Sequence, residues 1–365
     1  MKLKQFDIQQ KILWHYDKIA PWLDEKVVYP ITIEIDPTNV CNERCTWCCW
    51  KDHREDKTTM SEEFLDKIIR NLAKVGVNAI IWTGGGEPLI NRYVPKFMSL
   101  SKSLGMENSM FTNGILLTSE KIPTIIKSCA WVRISLGAAT AETFSKCQGE
   151  LKDFYKIIDN IKELVKVKKE LNSDITIGVG MLVDVDNYHE LYQEAMMSKE
   201  LGVDFFQGKP SNQMNSGDLE WWLNLVIPQF KKAKELETED FKILVAQYTK
   251  DKYGEDSTIF MNDQVIRFID TMDSNEHECH VHNFVTAITA NGNVSFCKNL
   301  RDRPEFVIGN LKTQTMEEIF NGERRKEVER KINDFGCHTF CQNRHLNEML
   351  KFLKHPIKRN HPNFL

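Results

Sequence analysis

The sequence has no long hydrophobic stretch. Its 365 residues contain no uninterrupted run of about 18 apolar residues, the length that a membrane-spanning helix needs. The amino end, Met1 to Asp7, also lacks the apolar segment of a secretion signal. These absences exclude a membrane span and secretion, so we expect a cytoplasmic protein without a membrane partner.

An excess of charge of either sign is also missing. The 48 lysines and arginines are balanced by 52 aspartates and glutamates, which gives a formal net charge of -4. A large nucleic-acid interface needs a basic face, so nucleic acid is not an expected partner. Hydrophobic residues make up 41% and charged residues 27% of the chain, as in a globular protein longer than one ordinary domain.

Disulfide bonds are not expected, because the 10 cysteines occur in a chain without a secretion signal. Cysteines in such a chain are metal ligands or reactive thiols. Seven of them fall into two groups, which are Cys41, Cys45 and Cys48, and Cys279, Cys297, Cys337 and Cys341. Cys49, Cys129 and Cys147 lie outside both groups.

Strands and helices alternate in the first part of the chain. Apolar and alternating patterns predict strands near 27–36, 78–83, 107–112, 131–136, 174–183 and 203–209, with helical segments between them. Six such strands imply right-handed crossovers and an α/β fold with a parallel sheet. Periodicity alone allows either a curved barrel or a flat doubly wound sheet.

The pattern divides the chain into five expected segments. They are an N-terminal helical flank (1–27), the α/β domain (28–210), a connector (211–275), a small domain with a β-hairpin and helix (276–345) and a basic tail (346–365). The flank predicts an amphipathic helix that ends before Pro21. The pair Asn291-Gly292 between two alternating runs predicts the hairpin.

Cys41, Cys45 and Cys48 directly follow the first predicted strand. Thiolates suit an iron-sulfur cluster, and three ligands on four irons leave one iron open to another molecule. A zinc site is an alternative, for which Cys49 or His53 could supply the fourth ligand. Three reduced thiols without a metal are the other alternative.

A glycine-rich turn, Gly84-Gly85-Gly86-Glu87, follows the second predicted strand. Ligands of parallel α/β folds bind at this carboxyl edge of the sheet. Glycines let a ligand approach the backbone, and a glutamate can accept hydrogen bonds from an ammonium group. Taken alone, such a turn is also an ordinary connection between a strand and a helix.

Together these two motifs resemble the radical S-adenosylmethionine (SAM) superfamily, with Trp47 as the aromatic residue of its Cys-x3-Cys-x-aromatic-Cys loop. The resemblance implies a partial (βα)6 TIM-like barrel and a [4Fe-4S] cluster whose open iron chelates SAM. Reductive cleavage of SAM would then release a 5'-deoxyadenosyl radical, with a flavodoxin or ferredoxin-type protein as electron donor. The resemblance assigns Gly85, Gly86 and Glu87 to the amino group of SAM.

Three further SAM contacts are implied by the same resemblance. Asn113 lies in a Thr-Asn-Gly turn after the third strand that resembles a turn of the family, and Ser135 ends the fourth strand, where relatives contact the SAM carboxylate or ribose. An ordinary turn or cap is the alternative at each position. Gly180 on the fifth strand would let adenine approach, or it marks a bulge. Relatives commonly have an aspartate where this chain has Gly137.

The four carboxyl-terminal cysteines can fill every ligand position of a second [4Fe-4S] cluster, or they can bind zinc. Their arrangement, from Cys279 and Cys297 to Cys337 and Cys341, resembles the twitch domain, a shortened form of the SPASM domain. The additional Cys-x2-Cys-x5-Cys run of the full form is missing. The resemblance therefore implies one auxiliary [4Fe-4S] cluster.

The resemblance leaves the reaction open. An auxiliary cluster that accepts the second electron gives oxidation, whereas a thiol that donates a hydrogen atom gives epimerisation, for which Cys147 is the best spare thiol. We expect a small sugar or aminocyclitol-like substrate, because residues 1–27 are too short for the winged-helix module that holds a leader peptide in peptide-maturing relatives. A peptide-modifying enzyme and a non-catalytic metal-binding scaffold are the alternatives. A scaffold, however, has no use for an open iron beside an amine-binding carboxylate.

Overall fold

A computed structural model describes residues 11–51, 55–211, 221–245, 278–301, 303–335 and 343–355. Its strands are β1 (Thr32–Ile35), β2 (Ala79–Trp82), β3 (Glu107–Thr112), β4 (Cys129–Ser135), β5 (Thr176–Val183), β6 (Phe205–Pro210), β7 (Lys242–Val245), β8 (Val285–Ile288), β9 (Asn293–Ser295) and β10 (Val307–Asn310). They form one sheet in the order β10-β9-β8-β1-β2-β3-β4-β5-β6-β7. The predicted α/β class is confirmed, since β1 to β7 are all parallel to their neighbours.

Helices follow most of these strands. They are α1 (Tyr16–Leu23), α2 (Glu62–Lys74), α3 (Val94–Ser103), α4 (Ile122–Ser128), α5 (Ala141–Cys147), α6 (Leu151–Glu170), α7 (Leu191–Glu200), α8 (Ile227–Lys234), α9 (Met316–Asn321), α10 (Glu323–Phe335) and α11 (Arg344–Lys354). Shorter helical turns cover Ile12–His15, Pro88–Ile90, Tyr188–Glu190, Trp222–Val226, Val281–Asn283 and Pro304–Phe306. Ser61 caps the start of α2, because its hydroxyl accepts a hydrogen bond from Phe64 N.

The two faces of the parallel strands differ in chemistry. On β1, Ile33 and Ile35 belong to the apolar core that the helices cover, whereas Glu34 between them points to the opposite face. Arg133 on β4 and Lys209 on β6 lie on that same opposite face, which we call the interior face. Its charged side chains, which lie among apolar ones such as Phe111, distinguish it from the mainly apolar layer beneath the helices.

The predicted hairpin forms, and it extends the parallel sheet. Its turn contains Gly292 at a φ of +84°, a conformation that favours glycine. Strand β8 pairs in parallel with β1, from Thr32 opposite Val285 to Ile35 opposite Ile288, while β9 is antiparallel to both β8 and β10. The carboxyl-terminal strands are therefore placed directly beside the strand that leads into the first cysteine group.

The prediction that the first helix ends before Pro21 is wrong, because α1 continues to Leu23. Proline removes only the hydrogen bond to the carbonyl of Asp17, an exposed residue whose carbonyl water can reach. Burial of Ile19 and Trp22 against an apolar cluster stabilises the continued helix.

Two elements occur where the sequence indicated irregular chain. Strand β7 lies within the predicted connector and adds a seventh parallel strand beside β6. Helix α11 occupies the beginning of the predicted basic tail, and its Leu346 and Leu350 pack in the same apolar cluster as α1. Among the described residues, no helix has the length and apolar character to cross a membrane.

Candidate functional site

The three-cysteine loop, residues 41–48, begins beyond the carboxyl end of β1 and is held against the end of α5. Thr46 N donates a hydrogen bond of 2.8 Å to Cys147 O, and Arg44 N donates one of 3.1 Å to Gln148 O. These backbone bonds join parts of the chain about a hundred residues apart. They fix the course of the loop independently of its side chains.

The thiols of this loop are accessible to a ligand, with Cys41 exposed and Cys45 and Cys48 half-buried. Burial, followed by the nearby Glu43 and the other two thiols, raises the pKa of Cys45 well above its usual value. Three thiolates beside Glu43 would repel one another. A bound metal cation would offset this repulsion, because metal binding favours the thiolate over the thiol. The donor set therefore fits a positively charged metal centre.

The spacing of the thiols bears on the choice between a cluster and zinc. Within the described part of the chain, only Glu278, His280 and His355 bring three His, Cys, Asp or Glu ligand atoms within 4.8 Å of one another. The three loop thiols are thus spread more widely than the ligands of a single tetrahedral zinc ion. Thiolates on different irons of one cluster need such a wider spacing.

Glu43 is a buried carboxylate inside the loop that the motif did not predict. Gln148 Nε2 donates to Glu43 Oε1 at 3.2 Å and Oε2 at 3.1 Å, and Cys45 Sγ donates to Oε2 at 3.6 Å. Burial raises the pKa of Glu43 to about 8. Gln148 Nε2 also donates to Ser135 O at 2.9 Å, so this amide connects the loop to the end of β4.

Two glycines of the turn after β2 make room for Asn39 and Val40, which precede the three-cysteine loop. A Cβ atom on Gly86 would lie 2.1 Å from Val40 O, and one on Gly85 would lie 3.0 Å from Asn39 Oδ1. Glu87 N donates a hydrogen bond of 2.9 Å to the same Val40 carbonyl. Glycine is therefore required where the turn packs against the backbone that leads into the three-cysteine loop.

The Glu87 carboxylate is buried and connects two strand ends. Its Oε1 accepts hydrogen bonds from Leu89 N at 3.0 Å and Thr112 Oγ1 at 2.8 Å, and its Oε2 accepts one from Asn113 N at 2.8 Å. Burial raises the pKa of Glu87 despite these donors. Asn113 Nδ2 in turn donates to Asn42 Oδ1 at 2.7 Å, so the loop and both turns form one hydrogen-bonded unit.

Trp47 is buried directly over Gly137. A Cβ atom at residue 137 would lie only 2.5 Å from Trp47 Cζ2 and 2.9 Å from Gln148 Oε1. The indole thus occupies the space that a side chain at residue 137 would need. This contact explains physically why the chain has glycine at a position where the family resemblance leads one to expect aspartate.

We expect Gly137→Ala to destabilise the protein by about 1–3 kcal/mol, because the new methyl group overpacks the Trp47 ring. Trp47→Phe removes the part of the indole that makes this contact. Gly137→Ala should therefore lower the unfolding free energy less in the Trp47→Phe background than in the wild type. Unfolding free energies of the four proteins test this coupling, and strictly additive effects would contradict it.

Two other predicted SAM contacts lie next to each other on the interior face. Ser135 is paired with Gly180 in the register of β4 and β5. A Cβ atom on Gly180 would lie 2.9 Å from Arg133 Cδ, so this glycine makes room for an arginine side chain of the chain itself. The contact of Gly180 with adenine stays a prediction.

Cys147 lies at the end of α5 and is 1% exposed. Its Sγ donates a hydrogen bond of 2.8 Å to Thr143 O, one turn earlier in the helix. Burial raises the pKa of this thiol to about 12. Among the described residues, the thiol is packed at the end of α5 and bonded within that helix. Its role as a hydrogen-atom donor stays a prediction.

Buried ion pairs on the interior face connect β1 to the carboxyl-terminal segment. Lys298 Nζ lies 3.0 Å from Glu34 Oε1, and Arg301 Nη1 lies 2.8 Å from Asp36 Oδ1 and 3.4 Å from Glu34 Oε2. The Arg301 guanidinium also lies 5.0 Å from the ring centroid of Trp50, just after the three-cysteine loop. Burial raises the pKa of Asp36 to about 6, although Arg301 opposes the shift.

The second cysteine group is described in part. Cys279 and Cys297 are half-buried and pack against the core from the chain before β8 and after β9. Cys337 and Cys341, like His53, lie outside the described residues. The structure thus places two of the four predicted ligands of the auxiliary cluster.

Two family profiles match this sequence. Residues 35–194 match the radical SAM superfamily, and residues 279–343 match SPASM, an iron-sulfur cluster-binding domain. The probable GTP 3',8-cyclase of Saccharolobus solfataricus is 28% identical over 172 residues, which are 47% of this chain and 54% of that protein. The GTP 3',8-cyclase of Clostridium acetobutylicum is 28% identical over 169 residues, or 44% and 52% of the two chains. The chain thus spans about half the length of these curated relatives.

Solved structures resemble most of the described fold. SuiB of Streptococcus suis, bound to the precursor peptide SuiA, superposes with a TM-score of 0.62 at 15% identity over 87% of this chain and 71% of that chain. The protein anSMEcpe with bound AdoMet gives a TM-score of 0.59 at 16% identity over 87% and 88% of the two chains. At such low identity the similarity shows a shared fold, consistent with a partial TIM barrel.

Proposed function

Because this chain belongs to the radical SAM superfamily and carries a C-terminal SPASM domain, we propose that Cys41, Cys45 and Cys48 hold the [4Fe-4S] cluster at which SAM is cleaved. When bound, this cluster supplies the electron that breaks a carbon–sulfur bond of SAM and releases a 5'-deoxyadenosyl radical. The observation that carries the proposal is the unit formed by the three-cysteine loop and the turn at Glu87. A metal-binding scaffold would not require a buried carboxylate beside an open ligand position.

The residues of the turns would orient SAM. Among the described residues Glu87 Oε2 accepts one hydrogen bond, whereas Oε1 accepts two, so Oε2 retains acceptor capacity for the SAM ammonium group. Gly85 and Gly86 place the turn against the loop, and Asn113 fixes the loop through Asn42. Ser135 at the end of β4 is proposed to contact the SAM carboxylate or ribose.

The SPASM domain holds an auxiliary iron-sulfur cluster. We assign its ligands to the four carboxyl-terminal cysteines, of which Cys279 and Cys297 are described. The segment between Cys279 and Cys297 contributes β8 beside β1, so these two cysteines flank strands of the sheet that carries the proposed SAM site. An electron acceptor so placed favours substrate oxidation, and the burial of Cys147 gives the epimerisation alternative less support.

A small polar molecule is the substrate that the interior face supports best. Charged side chains from β1, β4 and β6 line this face, as they would around a compact polar ligand. The similar GTP 3',8-cyclases are named for a small-molecule substrate, whereas the similar fold of SuiB was solved with a precursor peptide. Peptide modification is therefore the second candidate.

Incubation of the anaerobically reconstituted protein with SAM and dithionite tests the proposal. We expect 5'-deoxyadenosine to form, and its absence from protein that contains iron would refute the cleavage reaction. With a substrate identified, Cys147→Ala distinguishes the outcomes. Oxidation should survive this substitution, whereas an epimerase that uses this thiol should lose the inverted product but still cleave SAM.

A further inference from the structure

Three side chains with metal-binding atoms meet where helix α11 packs beside the segment that precedes β8. They are Glu278, His280 and His355, and one ligand atom of each lies within 4.8 Å of the ligand atoms of the other two. Within the described ranges, no other three His, Cys, Asp or Glu side chains place their ligand atoms this close together. None of the three belongs to the two cysteine groups.

The distances between these atoms are those of ligands around one tetrahedral metal ion. His280 Nε2 lies 3.4 Å from Glu278 Oε2, and His355 Nε2 lies 3.5 Å from the same oxygen. Zinc bonds to nitrogen and oxygen are about 2.0–2.2 Å long, so two ligands at the tetrahedral angle are about 3.4 Å apart. One ion can therefore contact all three side chains with only small movements.

His280 gives an independent indication of a ligand. Its side chain is only 4% exposed, and its Nε2 makes no hydrogen bond to any residue that the structure describes. A buried polar atom without a partner is unfavourable unless another group supplies the missing interaction. With the proton on Nδ1, Nε2 has a free lone pair beside Glu278 Oε2, and a cation bound between the two atoms would satisfy both acceptors.

Helix α11 positions these residues before any ion binds. Asn347 Oδ1 accepts a hydrogen bond of 2.6 Å from His280 N, and Asn347 Nδ2 donates one of 2.8 Å to Glu278 O. His355 directly follows the helix, and its N–H donates a hydrogen bond of 2.8 Å to Lys351 O. The same helix thus fixes the backbone of all three residues, as a preorganised site requires.

The two oxygens of the Glu278 carboxylate have different neighbours. Oε2 lies beside the two imidazoles, whereas Oε1 lies 3.7 Å from Lys354 Nζ. A charged neighbour on one oxygen orients the other oxygen towards a metal ion. The His355 side chain is 62% exposed, so an ion can enter from solvent.

We infer that Glu278, His280 and His355 bind a divalent transition-metal ion, with Zn²⁺ as the expected ion, through one carboxylate oxygen and two imidazole nitrogens. Imidazole and carboxylate ligands suit zinc, and three protein ligands leave a fourth position for water. The ion would fasten α11 to the segment before β8, which carries Cys279. The inference goes beyond the proposed function and does not depend on SAM cleavage.

Cys279 lies between Glu278 and His280 in the sequence, but its Sγ is not one of the mutually close ligand atoms. The residue packs instead against the apolar core. Iron-sulfur clusters are held mainly by cysteine thiolates, whereas this cluster of side chains offers only nitrogen and oxygen. We therefore assign it an ion of its own, separate from the auxiliary cluster.

Titration calorimetry with Zn²⁺ tests the site on the full-length protein, after anaerobic loading of both cysteine groups with iron and removal of other metal by EDTA. We expect His355→Ala and Glu278→Gln each to weaken zinc binding by more than the about 10- to 100-fold that loss of a ligand's hydrogen-bond partner costs. Neither side chain is fully buried, so both variants should fold. Mg²⁺ should not bind, because it requires octahedral oxygen ligands.

His189→Ala is the matched control. It removes an exposed histidine that also lies near a glutamate, 3.9 Å from Glu190 Oε1, but outside the proposed site. This variant should bind Zn²⁺ like the wild type. Absence of zinc binding to the wild type, or unchanged binding in His355→Ala, would overturn the inference.

Two further measurements separate this site from the auxiliary cluster. His355→Ala and Glu278→Gln should contain as much iron as the wild type, and a loss of iron would assign these side chains to the cluster and overturn the inference. Zn²⁺ should raise the melting temperature of the wild type but not that of His355→Ala, because only the folded site binds the ion. Equal shifts would contradict the assignment. Formation of 5'-deoxyadenosine is measured separately, so a failure of the proposed function remains distinguishable from a failure of this site.

Discussion

Cys45→Ala is expected to reduce 5'-deoxyadenosine formation to the level of a protein-free mixture. The three-cysteine loop offers three thiolates, and loss of one leaves two protein ligands for a cluster that must also bind SAM. Neighbouring Glu43 cannot replace the sulfur well, because a carboxylate is a harder ligand and is already bonded to Gln148. Iron bound per chain should fall by roughly half if each cysteine group holds one four-iron cluster.

Cys49→Ala is the matched control for this prediction. Cys49 is an exposed thiol next to Cys48 but outside the three-cysteine spacing. Its loss should leave both the iron content and SAM cleavage near wild-type values. Equal loss of iron in Cys49→Ala and Cys45→Ala would show that the assignment of ligands is incorrect.

Arg301→Met is expected to destabilise the folded protein by about 3–5 kcal/mol, because it removes one partner of a buried ion pair. Arg301 is the residue paired with Asp36, whereas Glu34 retains Lys298. Methionine also loses the cation–π contact with Trp50. The substitution therefore leaves a carboxylate buried without its charged partner, five residues before Cys41.

A second substitution distinguishes the unpaired charge from lost packing. Asp36→Asn in the Arg301→Met background removes the buried negative charge and should recover part of the stability. Lys312→Met provides a control on an exposed lysine of the same carboxyl-terminal segment. Denaturant unfolding measures all four proteins. An Arg301→Met variant as stable as the wild type, or a double variant without recovery, would contradict the role assigned to the pair.

Features that depend on neighbouring residues could be predicted from the sequence. Ser61 caps its helix, and Asn291-Gly292 turns its hairpin, because each local conformation follows from a few side chains. The alternation of strands and helices likewise gave the parallel sheet. The spacing of the first cysteine group pointed to a family that the profile matches support.

Features that depend on distant residues could not be predicted in this way. The pairing of β8 with β1, the bond between Gln148 and Glu43 and the ion pair of Lys298 with Glu34 each join residues more than 100 positions apart. Pattern and propensity contain no information about such partners. Gly137 illustrates the limit, because its sequence neighbours do not reveal that Trp47 covers it.

These long-range contacts determine how the proposed site is held together. The three-cysteine loop is fixed by α5 on one side and by the turns after β2 and β3 on the other. The carboxyl-terminal segment contributes Lys298 and Arg301 to the same interior face. The two profile-matched regions thus form one physical unit around the place where SAM is proposed to bind.

Electron paramagnetic resonance of the reduced protein tests most directly whether the three-cysteine loop leaves an iron open to SAM. A Cys279→Ala and Cys297→Ala double variant restricts the signal to the cluster near the amino end. Addition of SAM should shift the g-values of this signal, because the cofactor becomes a ligand of the cluster. A four-iron signal that is unchanged by saturating SAM would contradict the account.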